Sequence, residues 1–314
     1  MFLNNRSSLI SDFFKISEEV QTAIDENKAI VSLESNVLTH GLKYPLNIET
    51  ITKIENSVRD KGVVPATIYI DQGKIIVGSN DSIIDKFSND QSIVKVSSRD
   101  ISTLLAKKES GATTVSASLV CSDLLGIEFF SSAGLGGVHR EASTTFDISS
   151  DLIQITRSKT NVICAGVKNI LDIGLTLEFL ETQAIPVLTY KSEYFPAFFC
   201  QNSGFVSPCN INDINYLCDI LKTHRDLNLQ GGTVIAVPPL SKDALDSDLL
   251  KEFIDNAISR AKFENVSGKH ITKFIMRDLE QKTLGKTSKA NADVLVSNAI
   301  FAAELAKQYK EKFK

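Results

Sequence analysis

Short apolar segments rich in β-branched residues recur along the chain and alternate with longer stretches of helical periodicity. Continuous apolar runs of this kind are typical of strands that are covered on both faces. The segments that we predict to be strands are Ala29–Leu33, Ile93–Val96, Ile127–Ser131, Asn161–Ala165, Ile185–Leu188 and Thr233–Ala236. Two further runs, Thr67–Ile70 and Lys74–Val77, flank Asp71-Gln72-Gly73 and are predicted to form a hairpin.

Apolar residues at every third or fourth position predict helices over Leu171–Thr182, Asp248–Phe263 and Asp293–Lys310. The residues from Gly111 through Leu125 also have a helical pattern. Strands that alternate with helices predict a three-layer α/β/α fold of the α/β class, with a central mixed, largely parallel sheet. Because no linker, repeat or low-complexity tract interrupts the pattern, we expect a single domain over residues 1–314.

Three parts of the chain fit this pattern less well. Residues 1–20 are expected to be either disordered or a targeting segment, because Met1–Ser11 holds one Arg, several Ser and no acid. Ser203–Gly231 has the weakest pattern and is expected to be a long excursion. Lys307–Lys314 is rich in lysine and is expected to be a solvated helix end.

Composition excludes several classes of protein. The hydrophobic share of 43% and the charged share of 23% are ordinary for a globular protein. A net charge of −4 gives no general reason to bind nucleic acid, and no apolar run is long enough for a membrane span. The five cysteines have neither CxxC nor zinc-finger spacing, which favours a reducing compartment. We expect a cytoplasmic protein, or a mitochondrial one if the N-terminus is a short presequence.

Two stretches near strand ends could carry chemistry. Glu34 ends the first long strand, where α/β sheets bind ligands, although a turn or capping carboxylate would look the same. The run Gly111–Ser116 places small hydroxyl residues where a helix begins, which suits a phosphate, although an ordinary capped helix has the same pattern. Lys95 could add a positive charge to that phosphate site, or it could face solvent.

Two later stretches are also unusual. A glycine-dense segment, Ser132–Arg140, continues to Asp147 and Asp151, and an Asp among hydroxyl residues suits a hard divalent cation held mostly by water. Either Asp could instead cap the following helix. Lys168 directly follows a buried strand, where desolvation lowers the pKa of an ammonium and frees the amine as a nucleophile. A salt-bridged structural lysine is the alternative.

In order and spacing, these stretches resemble one family, the pseudouridine-5′-phosphate glycosidases, also called the indigoidine synthase A family. The resemblance covers roughly residues 30–306, nearly the whole chain. The matching segments are LESNVLTHG at 33–41, YPLNIET at 44–50, VPATI at 64–68, KVSSRD at 95–100, GATTV at 111–115, GLGGVHR at 134–140, TFDISSDL at 145–152, CAGVKNILDIGLTLEFLET at 164–182, PAFF at 196–199 and ANADVLVSNA at 290–299.

The resemblance implies a role for each candidate residue. Lys168 resembles the lysine that forms an imine with ribose C1′, Glu34 the proton donor, and Asp147 the manganese ligand. His139 aligns with a polar residue of the site and is expected to assist catalysis. Substrate contacts are implied for Lys95, Thr114, Val115, Ser149, Ser150, Asp151 and Asn291.

The implied reaction is the reversible cleavage of pseudouridine 5′-phosphate to uracil and ribose 5-phosphate. The bond that breaks joins two carbons, so the paired carboxylates of an ordinary glycosidase are poorly suited to it, whereas a nucleophilic lysine and a placed acid are well suited. The resemblance also implies one Mn²⁺ per subunit and a homotrimer. Because some relatives are fused to a sugar-kinase domain and none fits in 314 residues, we expect a separate pseudouridine kinase that supplies the substrate. The resemblance implies no nucleic-acid or membrane partner.

The chain departs from the family pattern at several positions. Ser132-Ala133-Gly134 replaces a usual Thr-Gly-Gly, Ser143 replaces an acid, Asn169 replaces the Ser after the lysine, and Val237 replaces an Asn. None of these removes the expected nucleophile, acid or metal ligand. Two alternative functions remain open at this point. One is another Schiff-base phosphosugar lyase or aldolase, and the other is a substrate-binding pseudoenzyme.

Overall fold

The computed structural model of the chain describes residues 12–264, 266 and 271–314. Within these residues eleven strands join into one sheet. The strands are β1 Phe14–Ile16, β2 Ile30–Glu34, β3 Val64–Asp71, β4 Lys74–Val77, β5 Val94–Val96, β6 Gly111–Thr113, β7 Phe129–Ser131, β8 Asn161–Cys164, β9 Val187–Tyr190, β10 Asn210–Ile211 and β11 Val234–Ala236.

The strand order in the sheet is β1-β4-β3-β2-β7-β8-β11-β9-β10, with β6 pairing beside β3 and β5 beside β6. Only the pairs β3–β4 and β3–β6 are antiparallel, and the other pairs are parallel. The prediction of a mixed, largely parallel sheet is therefore confirmed, as is the hairpin, in which Asp71 pairs with Lys74.

Helices cover both faces of the sheet. They are α1 Glu18–Asp25, α2 Leu46–Asp60, α3 Asp81–Asn89, α4 Ile101–Lys107, α5 Val115–Leu124, α6 Ala142–Thr145, α7 Ser150–Ile155, α8 Ile173–Thr182, α9 Ile214–Asp226, α10 Ser247–Phe263, α11 Ile271–Lys282 and α12 Lys286–Lys312. Among the helices of the described ranges, none has the length and apolar character needed to cross a bilayer.

The two helical layers meet the sheet through different apolar residues. On one face, helix α12 packs against β2, β7 and β8, with α2 and α9 beside it. On the other face, residues of α1, α4 and α5 form a second cluster against β3 and β4. Val31 and Leu33 of β2 face the α12 side, so Ser32 and Glu34, which alternate with them, face α5. The three-layer α/β/α prediction is confirmed.

Several local predictions were wrong. Gly111 does not open a helix, because Gly111–Thr113 is a strand and α5 begins only at Val115. Ser203–Gly231 is not a mere excursion, since it contains β10 and the 13-residue helix α9. Residues 12–20 contain β1 and the start of α1, and residues 1–11 lie outside the described residues, so the prediction for residues 1–20 stays a prediction.

The C-terminal lysines are only partly solvated. Helix α12 continues to Lys312 and buries Tyr309. Lys310 pairs with Glu128 at 2.8 Å, and Lys312 pairs with Asp219 at 2.7 Å. The last turn of α12 is therefore attached to the rest of the fold, where the lysine-rich sequence predicted a free end.

Candidate active site

Three neighbouring parallel strands bring candidate residues to one edge of the sheet. Strand β7 lies between β2 and β8 and is parallel to both. Glu34 is the last residue of β2, Ser132 follows β7, and Lys168 follows β8. Because the carboxyl ends of parallel strands meet at the same edge, Glu34 and Lys168 face one cleft there, and the charge of Lys168 acts on the Glu34 carboxyl.

The chain after β8 turns sharply before it reaches Lys168. Gly166 has a φ of +81°, and a Cβ there would lie 2.1 Å from the Pro196 carbonyl oxygen. Only glycine tolerates both the left-handed backbone and this close approach. The Lys168 backbone N–H then donates to the Leu135 carbonyl at 3.2 Å, which holds the lysine segment against the glycine-dense loop after β7.

The carboxyl group of Glu34 is poised to carry a proton. Protein surrounds it, although solvent reaches part of the residue, and this burial raises its pKa. The positive charge of Lys168 and a hydrogen bond from the Ser132 hydroxyl oppose that increase, whereas the charge of Asp151 adds to it. Glu34 does not cap the following π-helical turn, whose first flanking residue is Asn36, so the capping alternative is wrong.

Lys95 reaches the same cleft from β5. Strand β6 links β5 to the sheet, and the Thr113 backbone N–H donates to the Ser35 hydroxyl at 2.9 Å, which places the end of β6 beside the end of β2. Lys95 is exposed to solvent over part of its length, although protein atoms surround its ammonium group. The resulting desolvation and the nearby charge of Lys168 lower its pKa, while Asp151 and Glu34 act in the opposite direction. Two lysines and two carboxylates therefore influence one another in this cleft.

Asp151 links three parts of the site. Its carboxylate accepts a hydrogen bond from the Ser116 N–H and another from the Gly136 N–H, both at 3.0 Å. Ser116 lies in the first turn of α5, and Gly136 lies in the loop after β7. Ser149, and not Asp151, caps helix α7, because its hydroxyl accepts from the Asp151 N–H. The N-cap alternative for Asp151 is therefore wrong, and its buried carboxylate connects two other segments.

A row of hydroxyl groups lies beside this carboxylate. The Ser116 hydroxyl is 3.1 Å from that of Thr114 and 3.0 Å from that of Ser150. Thr114 precedes α5 without a side-chain capping bond, and Val115 is the first residue of the helix. The Ser116 N–H is already bonded to Asp151, so the start of α5 presents fewer free N–H groups than the sequence pattern predicted. The groups at the start of α5 that could bind a phosphate are therefore mainly hydroxyls.

His139 and Asp147 lie together on the outer part of the glycine-dense loop. The His139 Nδ1 atom is 3.7 Å from Asp147 Oδ2, and the His139 N–H donates to the Asp147 carbonyl at 3.0 Å. Asp147 is exposed, which leaves its carboxylate open to water. Across the described ranges, no three His, Cys, Asp or Glu side chains form a group that could hold a metal. The prediction of a manganese ligand at Asp147 stays a prediction.

Helix α12 contributes two asparagines. The predicted contact Asn291 is half-buried, and its Oδ1 is a buried atom without a hydrogen-bond partner in the described residues. Asn298, two helical turns later, donates from Nδ2 to the carbonyls of Ser132 and Ala133 at 2.8 and 3.2 Å. Asn298 was not predicted as a site residue, and Ser116 was predicted only as the end of the Gly111–Ser116 run. The seven-residue spacing from Asn291, which places both asparagines on one helix face, was the available signal for Asn298.

Comparisons with known proteins agree with this architecture. The model of the family "Indigoidine synthase A like protein" matches residues 19–308. A pseudouridine-5′-phosphate glycosidase of Serratia proteamaculans is 48% identical over 94% of this chain and 96% of its own length. Pseudouridine-5′-phosphate glycosidase 1 of Photorhabdus laumondii is 47% identical, with coverage of 93% and 92%.

Two solved structures share the fold over nearly the whole chain. The prealnumycin C-glycosynthase in complex with ribulose 5-phosphate superposes with a TM-score of 0.90 at 34% identity, covering 96% of this chain and 98% of that one. An indigoidine synthase A-like protein of Thermotoga maritima gives 0.84 at 29% identity, covering 95% and 97%. The chain is an enzyme that belongs to the indigoidine synthase A-like family, together with the pseudouridine-5′-phosphate glycosidases.

Proposed function

We propose that the protein reversibly cleaves the carbon–carbon glycosidic bond of pseudouridine 5′-phosphate and yields uracil and ribose 5-phosphate. The observation that carries the proposal is the pairing of Lys168 with Glu34 in one cleft, a nucleophile beside a carboxyl whose pKa burial raises. The names of the relatives and the phosphosugar in the C-glycosynthase structure support the same class of substrate.

In the proposed reaction, the C1′–O4′ bond of the ribose breaks, the Lys168 amine bonds to C1′, which still carries uracil, and the proton that the amine loses goes to O4′. The uracil carbon then takes the proton of the Glu34 carboxyl, its bond to C1′ breaks, and the lone pair of the lysine nitrogen forms the imine with C1′. Water hydrolyses the imine, which releases ribose 5-phosphate and restores the amine. A positioned acid of this kind contributes roughly 10²–10⁴-fold to rate, and the burial that raises the pKa of Glu34 favours its protonated form.

In this scheme the phosphate of the substrate would bind beside Lys95, at the starts of α5 and α7. Lys95 supplies a positive charge, and the hydroxyls of Thr114, Ser149 and Ser150 supply donors at the starts of α5 and α7. Val115 and Asp151 are further proposed contacts to the substrate. Binding energy from the phosphate would position C1′ against the lysine.

We also propose that Asp147 holds one Mn²⁺ per subunit, mainly through water. The single exposed carboxylate fits a hard cation that keeps most of its water ligands, and the nearby His139 imidazole would orient those waters. When bound, the cation would supply positive charge near the substrate. The homotrimer, the cytoplasmic location and the separate kinase stay predictions of the family resemblance, and light scattering of the purified protein would measure the subunit number.

Borohydride trapping would test the imine directly. The protein is incubated with ribose 5-phosphate and Mn²⁺, reduced, digested and analysed by peptide mass spectrometry. We expect a ribose-phosphate adduct on Lys168 that disappears in Lys168→Ala. The matched variant Lys95→Ala, which changes the other cleft lysine, should still form the Lys168 adduct. A folded protein that forms no adduct and releases no uracil from pseudouridine 5′-phosphate would contradict the proposal and favour a substrate-binding pseudoenzyme.

A further inference from the structure

Glu34 has a neighbour that its proposed role does not explain. The Ser132 hydroxyl donates to Glu34 Oε1, across 98 residues of sequence, from the segment that follows β7. Ser132 is 1% exposed, so its hydroxyl is held by protein and not by bulk water. A carboxylate side chain without such a partner would rotate among several positions in the cleft. The hydroxyl therefore fixes one carboxyl oxygen and leaves the other free to face the substrate.

The backbone that carries Ser132 is itself anchored. Asn298 is 1% exposed, and its Nδ2 donates to two consecutive carbonyls, those of Ser132 and Ala133. These carbonyls follow β7, and that of Ala133 also accepts from the Ala165 N–H at 2.8 Å, so Asn298 adds to the backbone pairing between the segments after β7 and β8. Among the described residues, Asn298 Oδ1 has no hydrogen-bond partner and is buried. A buried oxygen without a partner costs free energy, which an apolar side chain at this position would avoid. The two hydrogen bonds that Asn298 donates are therefore the advantage that an asparagine provides here.

We propose that Ser132 and Asn298 position the general acid of the reaction: Asn298 anchors the strand end, and the Ser132 hydroxyl holds the Glu34 carboxyl in one orientation. This inference rests on the proposed function, which makes Glu34 the acid. Both residues are positioning residues, because they act through Glu34. The hydroxyl can donate to the ionised carboxylate and accept from the protonated acid, so the contact can persist through the cycle.

Other groups around Glu34 would not replace Ser132. The charged groups that act on the carboxyl are Lys168 after β8, Lys95 on β5 and Asp151 on α7. Helix α12 adds the neutral amide of Asn298. Loss of the hydroxyl removes a donor that favours the ionised form, so the pKa of Glu34 should rise further.

The test measures the carboxyl without requiring turnover. The infrared C=O stretch of the protonated acid, assigned by its loss in Glu34→Gln, is titrated against pH in the intact protein. We expect Ser132→Ala to move the midpoint to higher pH, Ser132→Cys to move it less, and Ser132→Thr, which keeps the hydroxyl, to leave it near that of the wild type. Ser32→Ala is the matched control, since it removes a buried hydroxyl from the same strand and face as Glu34 without touching it.

Kinetics supply the second measurement. In the uracil-release assay we expect Ser132→Ala and Asn298→Ala each to lower kcat about tenfold, the effect of losing one hydrogen bond to a charged or critical group. The KM for the phosphorylated substrate should change little, and the alkaline limb of the pH profile should move upward in Ser132→Ala. An unshifted infrared midpoint in both Ser132→Ala and Ser132→Cys would overturn the inference. If the wild-type protein releases no uracil but the infrared midpoint of Ser132→Ala is still shifted, only the proposed function is overturned.

Discussion

Replacement of Asp151 by Asn is expected to weaken the link between helix α5, helix α7 and the glycine-dense loop. The carboxylate accepts two backbone hydrogen bonds at 3.0 Å and is 7% exposed. Asn keeps one acceptor oxygen but turns its NH₂ group toward the second N–H, so one charge-assisted bond is lost and two donors face each other. Hydrogen bonds to charged groups contribute about 1.5–3 kcal/mol, and we expect Asp151→Asn to lower the free energy of unfolding by about 2 kcal/mol.

The assay is urea denaturation at neutral pH, followed by circular dichroism. The matched control is Asp147→Asn, which neutralises an exposed carboxylate four residues away and should change stability by no more than about 0.5 kcal/mol. The change alters only local contacts of the folded state, so the Asp151→Asn midpoint should fall without a change of slope. A midpoint for Asp151→Asn equal to that of the control would refute the claim that this carboxylate holds the site together.

Three further predictions concern single residues of the cleft. Burial raises the pKa of Glu34, so the protonated carboxyl stabilises the folded state relative to the ionised one. This contribution to the free energy of unfolding of the wild type is present at low pH and is lost as the pH rises through the folded-state pKa. The stability of Glu34→Gln relative to wild type should therefore increase from acidic to alkaline pH in urea titrations, and a constant difference would contradict this. In Gly136→Ala, the new Cβ would lie 2.2 Å from Ser149 Oγ, so we expect a loss of about 1–3 kcal/mol in denaturant unfolding, whereas unchanged stability would show that the loop adapts freely. In Lys95→Met, steady-state kinetics should show a KM increased about tenfold or more with a smaller change in kcat, and the reverse pattern would assign Lys95 to the chemical step.

The sequence predicted the buried strands of the sheet more reliably than the short elements between them. Continuous apolar runs such as Asn161–Ala165 could be assigned because strands buried on both faces leave that pattern. Gly111–Thr113 was assigned wrongly because a three-residue strand next to a helix has too few positions to show a period. The long helix α2 carries a buried polar set that includes Asn47, Thr50 and Glu55, which obscured its apolar stripe.

Candidate site residues could be predicted where the residue type and its position at a strand end together indicate a chemical role. Glu34 and Lys168 stand at strand ends, and parallel topology brings such ends together. The contact of Ser116 with Asp151 and the role of Asn298 were missed because they depend on register and helix placement. Asp151 was assigned to the site, but its bonds to two backbone N–H groups could be seen only once the loop and α5 were positioned.

The candidate active site is assembled from contacts between distant parts of the chain. The bond from Ser132 to Glu34 closes a loop of 98 residues, and the bond from Asn298 to Ser132 closes one of 166 residues. Contacts with large sequence separation form late, because the entropy of closing long loops is lost before the contacts can compensate for it. During refolding from denaturant, helical structure should therefore return first, and the cleft should become competent only when α12 docks on the sheet.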